Sequence, residues 1–158
     1  MTVTITACVP EGVLHIASNM RESDRAEIFA TRWSASPIDL AEDLVRIPGP
    51  KWVAWDTVAG PVATYGAMPM WPGVWSLYCF ATDYFPQVAW YVTRHIRRVM
   101  MRSLAIAGAH RAEARSIVSH TEAHAWLERL GAHREATLKG YGKGGEDFIL
   151  FAWAVESR

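Results

Sequence analysis

The sequence predicts an α/β (α+β) fold, a mixed, mostly antiparallel sheet of six to seven strands flanked by helices. Short runs in which side-chain types alternate from one residue to the next, as in strands, are interspersed with longer runs in which apolar residues recur at helical spacing. Their order, β-α-α-α-β-β-β-α-β-α-β-β, requires helices on the faces of a sheet. The composition agrees, since 158 residues with 51% hydrophobic and 20% charged residues suit a single domain over residues 1–158.

The first half of the chain reads as a strand followed by helices. Residues Thr2 to Val9 alternate β-branched and small side chains. Helical spacing follows in Glu11 to Asn19 and in Ser23 to Thr31, with Ser23 as the expected N-cap. A third helix opens at Ser36-Pro37, because proline suits a first helical turn, and ends at Pro48-Gly49-Pro50.

The second half reads as three strands, a long helix, a strand, a helix and two final strands. Ala59-Gly60 gives the first two of these strands a hairpin spacing, and Gly131 closes the last helix. The predicted segments are Lys51 to Val58, Pro61 to Met70, Val74 to Thr82, a helix from Pro86 to about Ala107, His110 to Val118, and Thr121 to Leu130.

Charge and cysteine content exclude several classes of protein. The chain has 16 Lys and Arg residues and 16 Asp and Glu residues. A surface that is basic throughout is therefore excluded, and nucleic acid is not an expected partner. Cys8 and Cys79 lie in apolar runs, where reduced thiols are expected, and the compartment is expected to be cytoplasmic. The N-terminus has neither a signal peptide pattern nor a membrane span.

The end of the chain carries a recognisable pattern. The stretch AHAWLERLG matches A-x-x-[LW]-[YL]-x-x-L-G at Ala123, Trp126, Leu127, Leu130 and Gly131. With the order of elements before it, this stretch resembles the GNAT superfamily of acetyl-CoA-dependent N-acetyltransferases. The resemblance implies a single GNAT-like domain and acetyl-CoA as the cofactor, with an amine as acceptor.

A second resemblance lies near the start of the chain. In NMRESDRAEIFA, Met20, Arg21, Asp24 and Glu27 are spaced as in the GNAT-like proteins of short-tailed bacteriophages, including the internal virion protein A family. This resemblance implies synthesis in the host cytoplasm and a virion-associated structural or assembly role. The partners that it implies are other phage structural proteins or further copies of the chain.

The cofactor site departs from the superfamily pattern. The resemblance places a [QR]-x-x-G-x-[GA] loop at the start of the long helix, where missing side chains let pyrophosphate reach backbone N–H groups. This chain has QVAWYV, so Gln87 matches while Trp90 and Val92 replace the small residues. An indole there is expected to obstruct the phosphate. The residues that the resemblance offers to the cofactor are Phe80, Ala81, Thr82, Gln87, Arg94 and His95.

The catalytic candidates are Asp24, Glu27 and His120. Asp24 and Glu27 lie three residues apart on one helix face with Arg21, an arrangement that suits either an amine site or an ion network tying the helix to the sheet. His120 could act as a general base, because imidazole titrates near neutral pH, or could pack or cap. The tyrosine expected as general acid in the last helix is Leu127, so acetyltransferase chemistry is expected to be degenerate.

Two surfaces are candidate partner contacts. Arg94, Arg98 and Arg102 recur every four residues and form either a phosphate-binding stripe or a solvated helix face. Met70 and Trp71 lie beside a Pro-Gly turn, where large apolar side chains suggest an interface or a packed loop. No metal site is expected, because the His120 and His124 pair has no third ligand at a characteristic interval.

Overall fold

A seven-stranded open sheet with helices on both faces confirms the predicted fold class. The computed structural model describes residues 2–156. The strand order is β1-β2-β3-β4-β5-β7-β6, and every neighbouring pair is antiparallel except β4 with β5. The strands are β1 Val3–Ala7, β2 Lys51–Asp56, β3 Gly60–Trp71, β4 Val74–Ala81, β5 Arg111–Ile117, β6 His133–Leu138 and β7 Phe148–Ala154.

The helices divide between the two faces. They are α1 Pro10–Ser18, α2 Glu22–Ala30, α3 Pro37–Arg46, α4 Phe85–His95, α5 Met101–Ile106 and α6 Thr121–Arg129. Apolar residues of α1 to α3 pack with Val53 and Phe80 on one face. Those of α4 pack with Val62 and Tyr65 on the other face, where α5 and α6 cover β5 and β7. Alternate residues of the central strands therefore enter opposite cores.

The sheet divides where the parallel pair of β4 and β5 ends. Strands β4 and β5 pair over three residues each, from Val74 with Arg111 to Ser76 with Glu113. Beyond that point β4 continues to Ala81 beside β3, and β5 continues to Ile117 beside β7. The two strands diverge there, and a cleft opens between them. We call this region the splay.

The long helix differs from its prediction in one respect. It runs from Phe85 to Ile106 without a break, but the segment Ile96–Met100 is a π-helix between α4 and α5. An inserted π-turn changes which side chains share a face, and such turns are frequent at functional sites. The 3.6-residue pattern of the sequence does not reveal it.

Two predicted helix and strand limits were wrong. Helix α2 begins at Glu22 and its N-cap is Arg21, so Ser23 lies inside the first turn. Strand β2 ends at Asp56 rather than at Val58, because the Asp56 carboxylate accepts the N–H groups of Val58 and Ala59, both at 2.8 Å, and turns the chain there.

Candidate functional site

The splay holds a cleft of about 120 Å³ that opens between the two helical layers. Helix α2 lines one side, the π segment and α6 line the other, and β4 and β5, with Trp153 of β7, form the walls. Its polar lining residues are Arg21, Asp24, Glu27, Tyr78, Cys79, Arg115, Ser116 and His120. The rest of the lining is mostly apolar, so a bound molecule would meet few polar groups at defined positions.

Helix α2 is tied to both diverging strands by its two carboxylates. Asp24 Oδ2 accepts the backbone N–H of Ala81 on β4 at 2.8 Å. Glu27 Oε1 accepts the backbone N–H of Ile117 on β5 at 2.7 Å. Residues three apart share a helix face, so one turn of α2 reaches both strand edges. The ion network considered in the sequence is therefore present and structural.

His120 lies between the same two carboxylates. Its Nε2 is 3.6 Å from Asp24 Oδ1, and its Nδ1 is 3.4 Å from Glu27 Oε2. His120 and Asp24 are buried, and His120 immediately precedes α6. The structure thus brings the three catalytic candidates together from two distant parts of the chain. Their catalytic role stays a prediction.

Burial dominates the electrostatics of the cleft. It raises the pKa of the Asp24 carboxyl, although Arg21, whose Nε donates to Asp24 Oδ2 at 2.8 Å, acts in the opposite direction. Burial also raises the pKa of the Cys79 thiol to about 12 and raises that of the Tyr78 phenol. Both groups stay protonated at neutral pH, so Cys79 is not a ready nucleophile.

The edge of β4 offers less free backbone than the sequence suggested. The Ala81 N–H binds Asp24 and its carbonyl accepts the N–H of Arg21 at 3.0 Å, while the Thr82 N–H binds the Val62 carbonyl. Peptide groups alternate sides along a strand, so Cys79 presents its N–H and carbonyl to the cleft on the same edge as Ala81. Cys79, rather than Phe80 to Thr82, is the point where an extended ligand could pair.

The start of α4 does not fit a pyrophosphate. Phe85 and Gln87 donate their N–H groups to the Thr82 and Tyr84 carbonyls at 3.1 and 3.0 Å, and Pro86 has none to offer. The exposed Asp83 lies just before this turn, where its charge repels an anion. The chain therefore lacks the superfamily's backbone cradle for two reasons: the glycines are replaced, and the first N–H groups of α4 are already bonded.

Four other residues of α4 lie where they cannot replace that cradle. Val92 is buried in the core, while Trp90 is 62% exposed, with Arg94 over its ring at 5.3 Å. Arg94 is nine positions beyond Phe85, about 14 Å along the helix. His95 Nδ1 forms a 2.9 Å hydrogen bond with the Tyr65 hydroxyl, and its ring packs edge-on to Trp52. Arg94 and His95 therefore lie far from the start of α4, and their contact with a cofactor stays a prediction.

The candidate partner contacts all lie at the surface. Trp71 is 58% exposed at the end of β3 and Met70 is exposed beside it. Arg98 and Arg102 are exposed on the long helix and, within residues 2–156, neither forms an ion pair. The sequence has no Asp or Glu between Asp83 and Glu113, so this helix presents positive charge without local compensation.

Three cleft residues could not be predicted from the sequence. Tyr78, Arg115 and Ser116 all line the cleft, and none belongs to a recognisable motif. Ser116 is 2% exposed and its hydroxyl has no hydrogen-bond partner within the described residues. Only the divergence of β4 from β5 brings them together, and that divergence leaves no local signal in the sequence.

Solved structures share this architecture. One match is a GNAT superfamily phosphinothricin acetyltransferase from Sinorhizobium meliloti in complex with AcCoA. The superposition covers 98% of this chain and 89% of that one, with a TM-score of 0.73 and 15% sequence identity. The chain has the GNAT fold. It matches the ribosomal-protein-S18-alanine N-acetyltransferase from Escherichia coli with a TM-score of 0.70 at 17% identity, covering 99% and 96% of the two chains. A variant of spermidine N-acetyltransferase from Vibrio cholerae matches with a TM-score of 0.69 at 14% sequence identity. That match covers 96% of this chain and 93% of the other.

At these identities the matches establish the GNAT fold and no further property. No protein-family profile matches the chain, and no curated protein does. The resemblance to phage internal virion proteins finds no support in the structural matches and stays a prediction. Among residues 2–156, no helix combines the length and the apolar character needed to cross a membrane.

Proposed function

We propose that this GNAT-fold protein works by binding other proteins, in a virion-associated or assembly role in a bacteriophage, and that its acetyltransferase chemistry is degenerate. One observation carries the proposal. The first turn of α4 has two of its N–H groups already bonded, a proline between them and an aspartate before them. A CoA pyrophosphate would therefore meet neither free donors nor favourable charge there.

The residues behind the phage resemblance give further support. Met20 forms a β-bridge with Thr82, and Arg21, Asp24 and Glu27 line the cleft. Together they fix α2 across the splay, in the opening where an acetyltransferase of this superfamily would hold the pantetheine arm. The motif thus has a structural explanation that does not require catalysis.

The exposed surface supports a binding role. Trp71 on the β3–β4 hairpin and Trp90 on α4 are more than half exposed, and the exposed arginines of the long helix lie beside Trp90. Tryptophan and arginine are enriched among the residues that contribute most to protein interfaces. The unpaired positive charge of this helix favours an acidic surface as its partner.

A second candidate is an acetyl-CoA-dependent N-acetyltransferase. The observation that favours it is the cleft itself, where Cys79 of β4 shares the lining with Asp24, Glu27 and His120, three groups able to accept a proton. The three solved relatives are named for phosphinothricin, a protein alanine and spermidine as substrates. Asp24, Glu27 or His120 would take the proton of an acceptor amine, and direct transfer would need no protein nucleophile.

Thermal unfolding with and without acetyl-CoA separates the two candidates. A ligand at about 100 times its dissociation constant adds roughly 2.7 kcal/mol, which corresponds to about 5 to 10 °C for a domain of this size. We expect no shift at millimolar acetyl-CoA, with spermidine N-acetyltransferase as the positive control. A shift of that size would establish cofactor binding and make the enzyme the better reading.

A further inference from the structure

Asp24, Glu27 and His120 in the splay have the composition of a metal site. One oxygen from each of Asp24 and Glu27 and one ring nitrogen of His120 lie within 4.8 Å of one another. Asp24 Oδ1 and His120 Nε2 are 3.6 Å apart, close to the separation of two ligands that each lie about 2.1 Å from one ion. Small side-chain movements would let the three atoms converge on a common centre.

Two orphaned polar atoms point to a missing ligand. Asp24 is 1% exposed, and its Oδ1 has no hydrogen-bond partner within residues 2–156. Ser116 is 2% exposed, and its hydroxyl is likewise unpartnered in the described chain. Both residues line the same 120 Å³ cleft. Buried polar groups without partners are rare in folded proteins, and such a group commonly marks the place of a bound water or ion.

The remaining oxygens, Asp24 Oδ1 and Glu27 Oε2, face His120, because the other oxygen of each carboxylate is bonded elsewhere. Asp24 Oδ2 binds Arg21 and the Ala81 N–H, and Glu27 Oε1 binds the Ile117 N–H. These bonds fix the orientation of both carboxylates, as outer hydrogen bonds do around metal ligands. Arg21 and Arg115 both line the cleft, but Arg115 is paired with Glu113 at 3.3 Å, so the two carboxylates leave a negative charge that favours a cation.

We propose that Asp24, Glu27 and His120 bind a divalent transition-metal ion that joins α2 to α6 across the splay. Two carboxylate oxygens and an imidazole suit Zn²⁺ or Mn²⁺, whereas Ca²⁺ and Mg²⁺ prefer sites made of oxygen ligands alone. The ion would give Asp24 Oδ1 the partner it lacks. Its role would be structural, because it would tie together elements that approach from opposite ends of the sequence.

The test is titration of the EDTA-treated protein with Zn²⁺ and Mn²⁺, followed by calorimetry and thermal unfolding. We expect one ion per chain and a rise in Tm of about 5 to 10 °C at 100 times the dissociation constant. Glu27→Gln keeps an acceptor for the Ile117 N–H, so it is expected to fold and to lose at least about tenfold in affinity. His133→Asn, which removes an exposed histidine of β6, is the matched control.

Two results would overturn the proposal. If millimolar metal gives neither heat nor a Tm shift, the three side chains do not form a metal site. If wild type, Glu27→Gln and His120→Asn bind equally while His133→Asn does not, the metal binds at the surface.

Discussion

Asp24 and Glu27 each accept a hydrogen bond from the backbone of a strand edge through one carboxylate oxygen. Substituting either residue therefore disturbs the attachment of α2 as well as any functional group. Asp24→Ala would leave the Ala81 N–H without its acceptor in a buried place. A loss of activity or assembly in that variant would therefore reflect a displaced α2 as readily as a lost functional group. Conservative amide variants are the informative ones at both positions.

Asp56 gives a pH-dependent test at the same scale. The N–H groups of Ala59 and Val58 hold the pKa of its carboxyl below the ordinary value. The folded state therefore binds this proton less tightly than the unfolded chain, so Asp56 stabilises the fold above pH 4 and loses that effect as the pH falls. We expect Asp56→Asn to lower Tm at pH 7 by a few degrees.

The difference in Tm between wild type and Asp56→Asn should shrink steadily between pH 5 and pH 2, measured by calorimetry across that range. Glu11→Gln, on the exposed first turn of α1, controls for the loss of one carboxylate elsewhere. A difference that stays constant with pH would show that the hydrogen bonds, and not the charge, stabilise the turn.

At the scale of elements, the loop from α3 into β2 depends on close backbone contact. Gly49 has φ of 125°, and a Cβ there would lie 2.1 Å from the Ala67 carbonyl oxygen. Gly60 has φ of 77° with no atom near its Cβ position. Gly60→Ala should cost roughly 1 to 2 kcal/mol for its backbone conformation.

Gly49→Ala should cost roughly 1 to 3 kcal/mol more than Gly60→Ala, because β3 must also move away. Urea unfolding of the two variants beside wild type measures both losses. Equal losses would mean that the loop relaxes freely and that the contact with Ala67 does not constrain it.

The β3–β4 hairpin is the element on which the assembly proposal can be tested most directly. Trp71 is exposed, so Trp71→Ala should change the free energy of unfolding by less than about 0.5 kcal/mol. We expect the same variant to weaken self-association in sedimentation velocity. Val58→Ala, at the exposed β2–β3 turn, is the control. Identical sedimentation of wild type and Trp71→Ala at high concentration would remove this hairpin from the interface.

Considered as a whole, the molecule shows which features a sequence specifies locally. The strand and helix order follows from residue periodicity, which the chain expresses within each segment, so the fold class was predictable. The π segment Ile96–Met100 was not, because its residues fit an ordinary helix equally well. The orientation of His95 toward Tyr65 was hidden for the same reason.

The candidate site was predictable only in part. Asp24 and Glu27 could be paired from their spacing, but His120 joins them through a contact between positions more than ninety residues apart. Ser116 and Tyr78 line the site because β4 and β5 diverge, and the sequence of neither strand by itself indicates that divergence. The blocked start of α4 depended on hydrogen bonds from Phe85 and Gln87 to a preceding turn that the motif does not contain.

The short parallel pairing of β4 with β5 also bears on how the chain folds. Strands β1 to β4 are neighbours in chain order and β7 lies between β5 and β6, so most backbone pairing lies within one half or the other. Pairing within each half still spans long stretches of chain, as Val3 with Asp56 and Arg111 with Ala154 show, so neither half forms from local contacts alone. We expect such non-local pairing to slow folding, before three residue pairs of β4 with β5 and the contact of α2 with β5 join the halves.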